Sequence, residues 1–447
     1  MNPNSFENNA LPKVLIVGDT FTNAGGGGVT MTNLFKGWPK DKIAVATTHV
    51  ALSGLESCLV YYRLGYKENK RLWPLNYIQP KYESGPITYS PDDYRPAVIT
   101  CKGRRSKYNP IVKNAVLTLF QFFGFTFLEN RFKVSESFLQ WIEEYKPDII
   151  YTQLATYELI KLMQAIKQKT NIPIAIHIMD DWPKTLNKPG VFYYYWKYKL
   201  DHELRKLFNK SDIFLSICDA MSKEYIARYK KPFTAFHNPI YIDRWLPSTK
   251  QSWVVNGSFR IVYTGRIGTA VTNAIIQMAT VIGSLKAEGE NIEFDIYTMD
   301  IVNPKLKAIR NIDGINFRDP VPHESYPALL PNYDMAVIPL DFDKDGLRFV
   351  QFSMPTKASE YMISGTPVLV YADCRTALSQ YAIQEKWGYV VSENDSEALK
   401  NAIRKIMKDE QLRERLGKRA RNISINNENA ETVVKNFRKV LSGCLKN

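Results

Sequence analysis

Residues Lys13 to Trp38 read KVLIVGDTFTNAGGGGVTMTNLFKGW. An apolar, β-rich run gives way to a glycine cluster and then to an amphipathic stretch from Val29 to Trp38, an order that predicts strand, loop and helix. In Ala24-Gly25-Gly26-Gly27-Gly28-Val29-Thr30 the glycines let backbone N–H groups approach an anion, and the helix start adds partial positive charge. Glycines at such a turn also serve geometry alone. A dinucleotide-dependent dehydrogenase is disfavoured, because the next apolar run, Ile43 to Thr47, leads into Thr48-His49 without the acidic residue that holds a ribose. No Lys directly follows the glycines, so a P-loop fails as well.

Outward from this stretch, the runs Ile149 to Thr152, Ile172 to His177 and Ile213 to Ile217 read as strands separated by helical segments such as Tyr157 to Gln168. Such alternation predicts a parallel sheet covered by helices on both faces. Around Asn238 to Phe259 the pattern weakens into a Pro-, Ser- and Gly-containing stretch, read as an interdomain linker. A second α/β series follows: strands Arg260 to Thr264, Ile292 to Tyr297, Met335 to Pro339 and Val368 to Tyr371, with helices Asn273 to Glu288, Thr356 to Ser364 and Ser396 to Met407. Two doubly wound domains in tandem fit a chain of 447 residues. They place a ligand-binding cleft at the carboxyl ends of their strands.

The formal net charge of +14 is unevenly spread, with 34 Lys and Arg against 22 Asp and Glu in residues 1–250 and 25 against 23 in the remainder. A basic amino-terminal half suits nucleic acid, anionic headgroups or a polyanionic substrate, and no nucleic-acid motif supports the first. The polar start, Met1 to Leu11, carries no secretory pattern. Cys58, Cys101, Cys218, Cys374 and Cys444 form no CxxC pair, which fits a reducing cytoplasm.

The most informative stretch is Ser353-Met354-Pro355-Thr356-Lys357-Ala358-Ser359-Glu360-Tyr361-Met362-Ile363-Ser364-Gly365-Thr366-Pro367-Val368. A loop runs into a helix with Lys357 and Glu360 on one face of its first turns. The helix start and Lys357 suit a diphosphate, and Glu360 suits sugar hydroxyls. A solvated surface pair is the duller reading, and it is weakened by the helix beginning at the carboxyl edge of the second sheet.

Together with Asp180-Asp181-Trp182-Pro183, Ser216 to Met221, His237-Asn238-Pro239, Thr264-Gly265-Arg266 and the Gly-rich first turn, this stretch resembles the GT-B glycosyltransferases, particularly the retaining glycosyltransferase family 4 or group 1. The resemblance implies an α/β GT-B fold of two Rossmann-like doubly wound domains facing each other across a cleft. Residues 1–240 would form the acceptor-binding domain, 258–426 the nucleotide-sugar-binding domain, and 427–447 a terminal helix returning to the first. It implies transfer of a sugar from a UDP- or GDP-sugar to a hydroxyl acceptor, a glycan or lipid-linked molecule, with retention and with neither metal nor cofactor.

Carried onto this sequence, Arg266 and Lys357 neutralise the donor diphosphate and Glu360 binds the ribose. Gly27 and Gly28 let the first turn approach the donor, with Gly265, Ser353, Pro355 and Thr356 in the same donor site. Two positions depart from the family: Phe352 stands where an acidic residue usually contacts the donor sugar, and Val271 where many relatives carry Lys. A nucleotide-sugar epimerase of the same fold and a non-catalytic relative remain as rivals.

Asp180 or Asp181, at the end of a first-domain strand, is expected to orient or deprotonate the acceptor, against a capping role. His177 is read as a buried strand residue, and Asp341-Phe342-Asp343 as a polar loop rather than a metal motif. The apolar run Ala115 to Leu128, preceded by Lys102, Arg104, Arg105, Lys107 and Lys113, is too short to span a bilayer. It suits burial or a membrane surface. Phe192-Tyr193-Tyr194-Tyr195-Trp196 suits packing, sugar or an interface. A cytoplasmic protein touching the inner face of the cell membrane through its basic half is the resulting expectation.

Overall fold

The apolar runs fold as a computed structural model that describes residues 11–22, 26–49, 55–71, 82–88, 118–119, 122–123, 130–185 and 191–443. The chain divides into two compact units, Met1–Phe236 with Val434–Asn447, and His237–Val433.

The first unit carries β1 (Val14–Gly18), β2 (Ile43–Thr47), β3 (Val60–Arg63), β4 (Asn69–Arg71), β5 (Gly85–Thr88), β6 (Asn130–Phe132), β7 (Ile149–Gln153), β8 (Ile174–Ile178), β9 (Ile213–Ser216) and β10 (Phe233–Ala235). Its main sheet has the order β10-β9-β8-β7-β1-β2-β3-β5. All neighbours are parallel except β3 and β5. Strands β2, β7 and β8 are buried at every residue, which is why they read as largely apolar runs instead of alternating ones. The chain leaves β1 towards β2 and β3, then returns to build β7 to β10 on the other side, so β1 and β7 flank the topological switch point. Phe437 of the helix Ala430–Ser442 packs edge-on against Phe35 and Phe236 of this unit, at 5.1 and 5.4 Å between ring centroids.

The second unit carries β11 (Phe259–Thr264), β12 (Ile292–Tyr297), β13 (Ile315–Arg318), β14 (Met335–Pro339), β15 (Val368–Tyr371) and β16 (Tyr389–Val391), in the all-parallel order β13-β12-β11-β14-β15-β16. Its switch point lies between β11 and β14. The stretch expected as a linker belongs to this unit instead. Trp253 is buried and donates through Nε1 to the Gly365 carbonyl at 3.0 Å, and Lys250 donates through Nζ to the Tyr333 carbonyl at 2.8 Å. Single anchors like these leave no periodicity to read.

Among the described residues no helix is long and apolar enough to cross a membrane. Most of Ala115 to Leu128, with its basic collar, lies outside the described residues, as do Cys101 and Cys444.

Candidate active site

At the carboxyl end of β11 the chain turns at Gly265, whose φ of +126° is strained for any residue with a Cβ. A Cβ there would also lie 3.0 Å from Lys357 Nζ. Lys357 comes from the helix Thr356–Ser364, which connects β14 to β15, so the two ends of the switch point meet at this lysine. Its Nζ sits 3.9 Å from the centre of the Tyr263 ring, a cation–π contact. Burial pushes the ammonium down to about 7, against the opposing pull of the Glu360 carboxylate.

Pro355 precedes this helix and provides no side-chain cap; Ala358 N donates to the Pro355 carbonyl at 3.0 Å, and the helix start carries partial positive charge. Ser353 closes the approach to it by donating to the Phe349 carbonyl at 3.1 Å. Tyr361 fixes the helix to the strand, its hydroxyl accepting from Thr264 N at 2.8 Å.

Arg266 follows Gly265, and its carbonyl accepts from the Tyr263 hydroxyl at 2.6 Å. Its guanidinium is 66% exposed and faces Asp300, with Nε at 2.8 Å from Oδ2 and Nη2 at 2.8 Å from Oδ1. Glu360 is buried, with Oε1 at 2.5 Å from His323 Nε2. The structure thus brings Gly265, Lys357 and Glu360 together and places Arg266 on the same turn, paired to an acid.

In the first unit Gly27 and Gly28 belong to the first turn of the helix Gly26–Leu34 rather than to a loop before it. A Cβ on Gly28 would lie 2.1 Å from Thr22 Cγ2, and one on Gly27 would lie 3.0 Å from Gln153 Oε1. Close packing by itself requires glycine at Gly28. Ala24 and Gly25 lie outside the described residues.

Asp180 is half-buried just past β8. Asp181 corrects an expectation: it is buried and held by Arg228 at 2.8 and 3.0 Å, with the Tyr225 hydroxyl donating at 3.0 Å, the geometry of a structural ion pair. Burial opposes the charge on Arg228, but its hydrogen bonds to Asp181 hold its pKa above the usual range. His177 is wholly buried, 2.7 Å from the Tyr151 hydroxyl, and burial pushes it down to about 4.

A family model described as glycosyl transferases group 1 matches residues 305–423, and one described as Glycosyltransferase Family 4 matches residues 90–244. The chain thus carries a group 1 glycosyltransferase domain. Its fold is that of sucrose-phosphate synthase from Thermosynechococcus elongatus (TM-score 0.62, 13% identity, 97% of this chain and 99% of that one). It is also that of Anabaena HepE in complex with UDP and glucose (0.57, 12%, 96% and 99%). The glycosyltransferase WaaG, involved in lipopolysaccharide biosynthesis, is similar as well (0.57, 11%, 96% and 100%). At these identities the likeness establishes the GT-B fold. No curated protein matches the sequence.

In this glycosyltransferase the Asp-Phe-Asp triplet is a pair of helix caps: Asp341 Oδ1 accepts from Ala274 N at 2.8 Å, and Asp343 caps the helix Lys344–Val350. Three residues escaped the sequence reading. Asp300 stands three positions past β12, where the end of an apolar strand in a doubly wound fold could have flagged it. Gln153 ends β7 and donates to the Gly27 carbonyl at 3.0 Å. His323 lies in an aperiodic segment after β13, and only the folded chain brings it to Glu360.

Proposed function

We propose that this glycosyltransferase moves a sugar from a UDP- or GDP-sugar to a hydroxyl of a glycan or lipid-linked acceptor, with retention and with the protein's own cations serving the leaving group in place of a metal. The observation that carries it is the half-buried Lys357 at the switch point, in contact with the Gly265 turn and one helical turn from Glu360. A nucleoside diphosphate gains negative charge as the sugar–phosphate bond breaks. A buried ammonium, an uncapped helix start and a guanidinium on the adjacent turn are fixed beforehand where that charge develops. Glu360, oriented by His323, accepts hydrogen bonds from the ribose hydroxyls. HepE has been solved with UDP and with UDP-glucose, which supports a uridine nucleotide.

On the acceptor side, Asp181 is consumed by Arg228, so Asp180 is the carboxylate proposed to orient the attacking hydroxyl. The acceptor is proposed to belong to surface polysaccharide or glycoconjugate assembly at the inner face of the cell membrane. The helix Tyr193–Phe208 supports this by exposing Tyr194, Tyr195 and Tyr198 beside Lys197. Aromatic rings with lysines suit an anionic bilayer surface.

Thermal-shift screening with UDP, GDP, ADP and their sugars tests the donor class, since a ligand that binds only the folded chain raises its Tm. No rise with any of them refutes the reading. Incubation of the preferred nucleotide sugar without acceptor should leave it unchanged; its conversion to an epimer would refute transfer.

A further inference from the structure

The Arg266 guanidinium is far more exposed than the carboxylate it faces: 66% against 17%. Arginines so exposed ordinarily sample many rotamers, and a surface pair holds them weakly. Here the carboxylate is the fixed partner. Asp300 Oδ2 accepts from the backbone N–H of Ile267 at 2.7 Å, Asp300 N donates to Thr298 Oγ1 at 3.1 Å, and its carbonyl accepts from Asn303 N at 2.9 Å. The acid therefore ties the end of β12 to the turn after β11.

It grips Arg266 from the side, through Nε and Nη2. Guanidinium has a second edge, formed by the outward hydrogens of its two terminal nitrogens, and that edge matches two phosphate oxygens. Nη1 has no partner among the described residues.

We propose that Asp300 is a positioning residue for the donor site: it clamps one edge of Arg266 so that the opposite edge is presented to the diphosphate. This rests on the reading of Arg266 as a diphosphate ligand and goes beyond it in assigning Asp300. The clamp confines a long side chain before the ligand arrives, so binding loses less rotamer freedom. Two effects oppose each other when the acid is neutralised. Loss of its negative charge favours an incoming anion. A carboxamide, however, keeps one acceptor oxygen where the carboxylate has two, and its NH2 must face either the guanidinium or the Ile267 N–H, both donors, so the grip on Arg266 loosens. At an exposed site the charge effect is screened, so loss of orientation prevails.

UDP titrated calorimetrically into the full chain and its variants tests this. Arg266→Ala should weaken binding about tenfold, and Asp300→Asn about three- to tenfold, with Tm changed little. The double variant should bind no worse than Arg266→Ala alone, because Asp300 acts only through the arginine. A purely structural acid would instead weaken binding in both backgrounds. Asp300→Asn with parental or tighter affinity, or losses that multiply in the double variant, overturns the assignment of Asp300 alone. Parental affinity in Arg266→Ala overturns both it and the diphosphate role of Arg266.

Discussion

The Lys357 ammonium makes donor affinity fall as pH rises through the neutral range, where an ordinary surface lysine stays charged and gives no dependence on pH. In the empty protein burial holds it at about 7, down from 10.5. A bound diphosphate restores the charged form, so above pH 7 binding must take up a proton. If the bound lysine regains its usual range, affinity falls about tenfold per pH unit above the free-state value. That amounts to about a hundredfold, or about 2.7 kcal/mol, between pH 7 and pH 9. UDP-glucose is the ligand to use, because its diphosphate is esterified at both ends and loses no proton in this window. Calorimetry in buffers of different ionisation enthalpy should show uptake approaching one proton at pH 8.5. Lys357→Met should bind weakly and without the slope. Affinity that stays flat from pH 6 to 9, or a slope that persists in Lys357→Met, would refute the reasoning. The same depression works on the unliganded fold: the unfolded chain holds the extra proton between about 7 and 10.5, so this group's contribution to stability rises with pH across that interval.

Four further outcomes are expected. Gly265→Ala adds a Cβ at positive φ and 3.0 Å from the lysine, and should cost about 1–3 kcal/mol of stability by denaturant titration and weaken UDP binding. Glu360→Gln should weaken UDP binding several-fold more than inorganic pyrophosphate binding, since the lost pull on Lys357 affects both ligands and the lost ribose contact only the nucleotide; equal losses for both ligands would contradict the ribose assignment. Asp181→Ala leaves Arg228 part-buried without its main partner and should cost about 3 kcal/mol, seen as a drop in Tm rather than as a change in KM. His177, held neutral by burial, gives a stability that declines as pH falls from 6.5 towards 4, and His177→Phe should flatten that decline in acid denaturation.

Much of the fold was legible because strands buried on both faces are apolar along most of their length, as β14 and β15 are throughout and β2, β7 and β8 are apart from Thr47, Thr152, Gln153 and His177. The run VLVY and the helix TKASEYMIS were read to the residue. Short or edge strands such as β5, β10 and β16 carry too few residues for a pattern, and β13 is only partly buried.

In the site, the sequence alone determined that a glycine, an arginine, a lysine and a glutamate follow strands and open a helix of a doubly wound unit. Spacing along one chain specifies that much, because the ends of parallel strands lie on one edge of a sheet. Only the tertiary structure decided their company. Asp300 beside Arg266, His323 beside Glu360 and Arg228 around Asp181 are pairs separated by 34, 37 and 47 positions. A charge's burial and partners depend on which segments the packed core brings alongside it, and no local pattern carries that information.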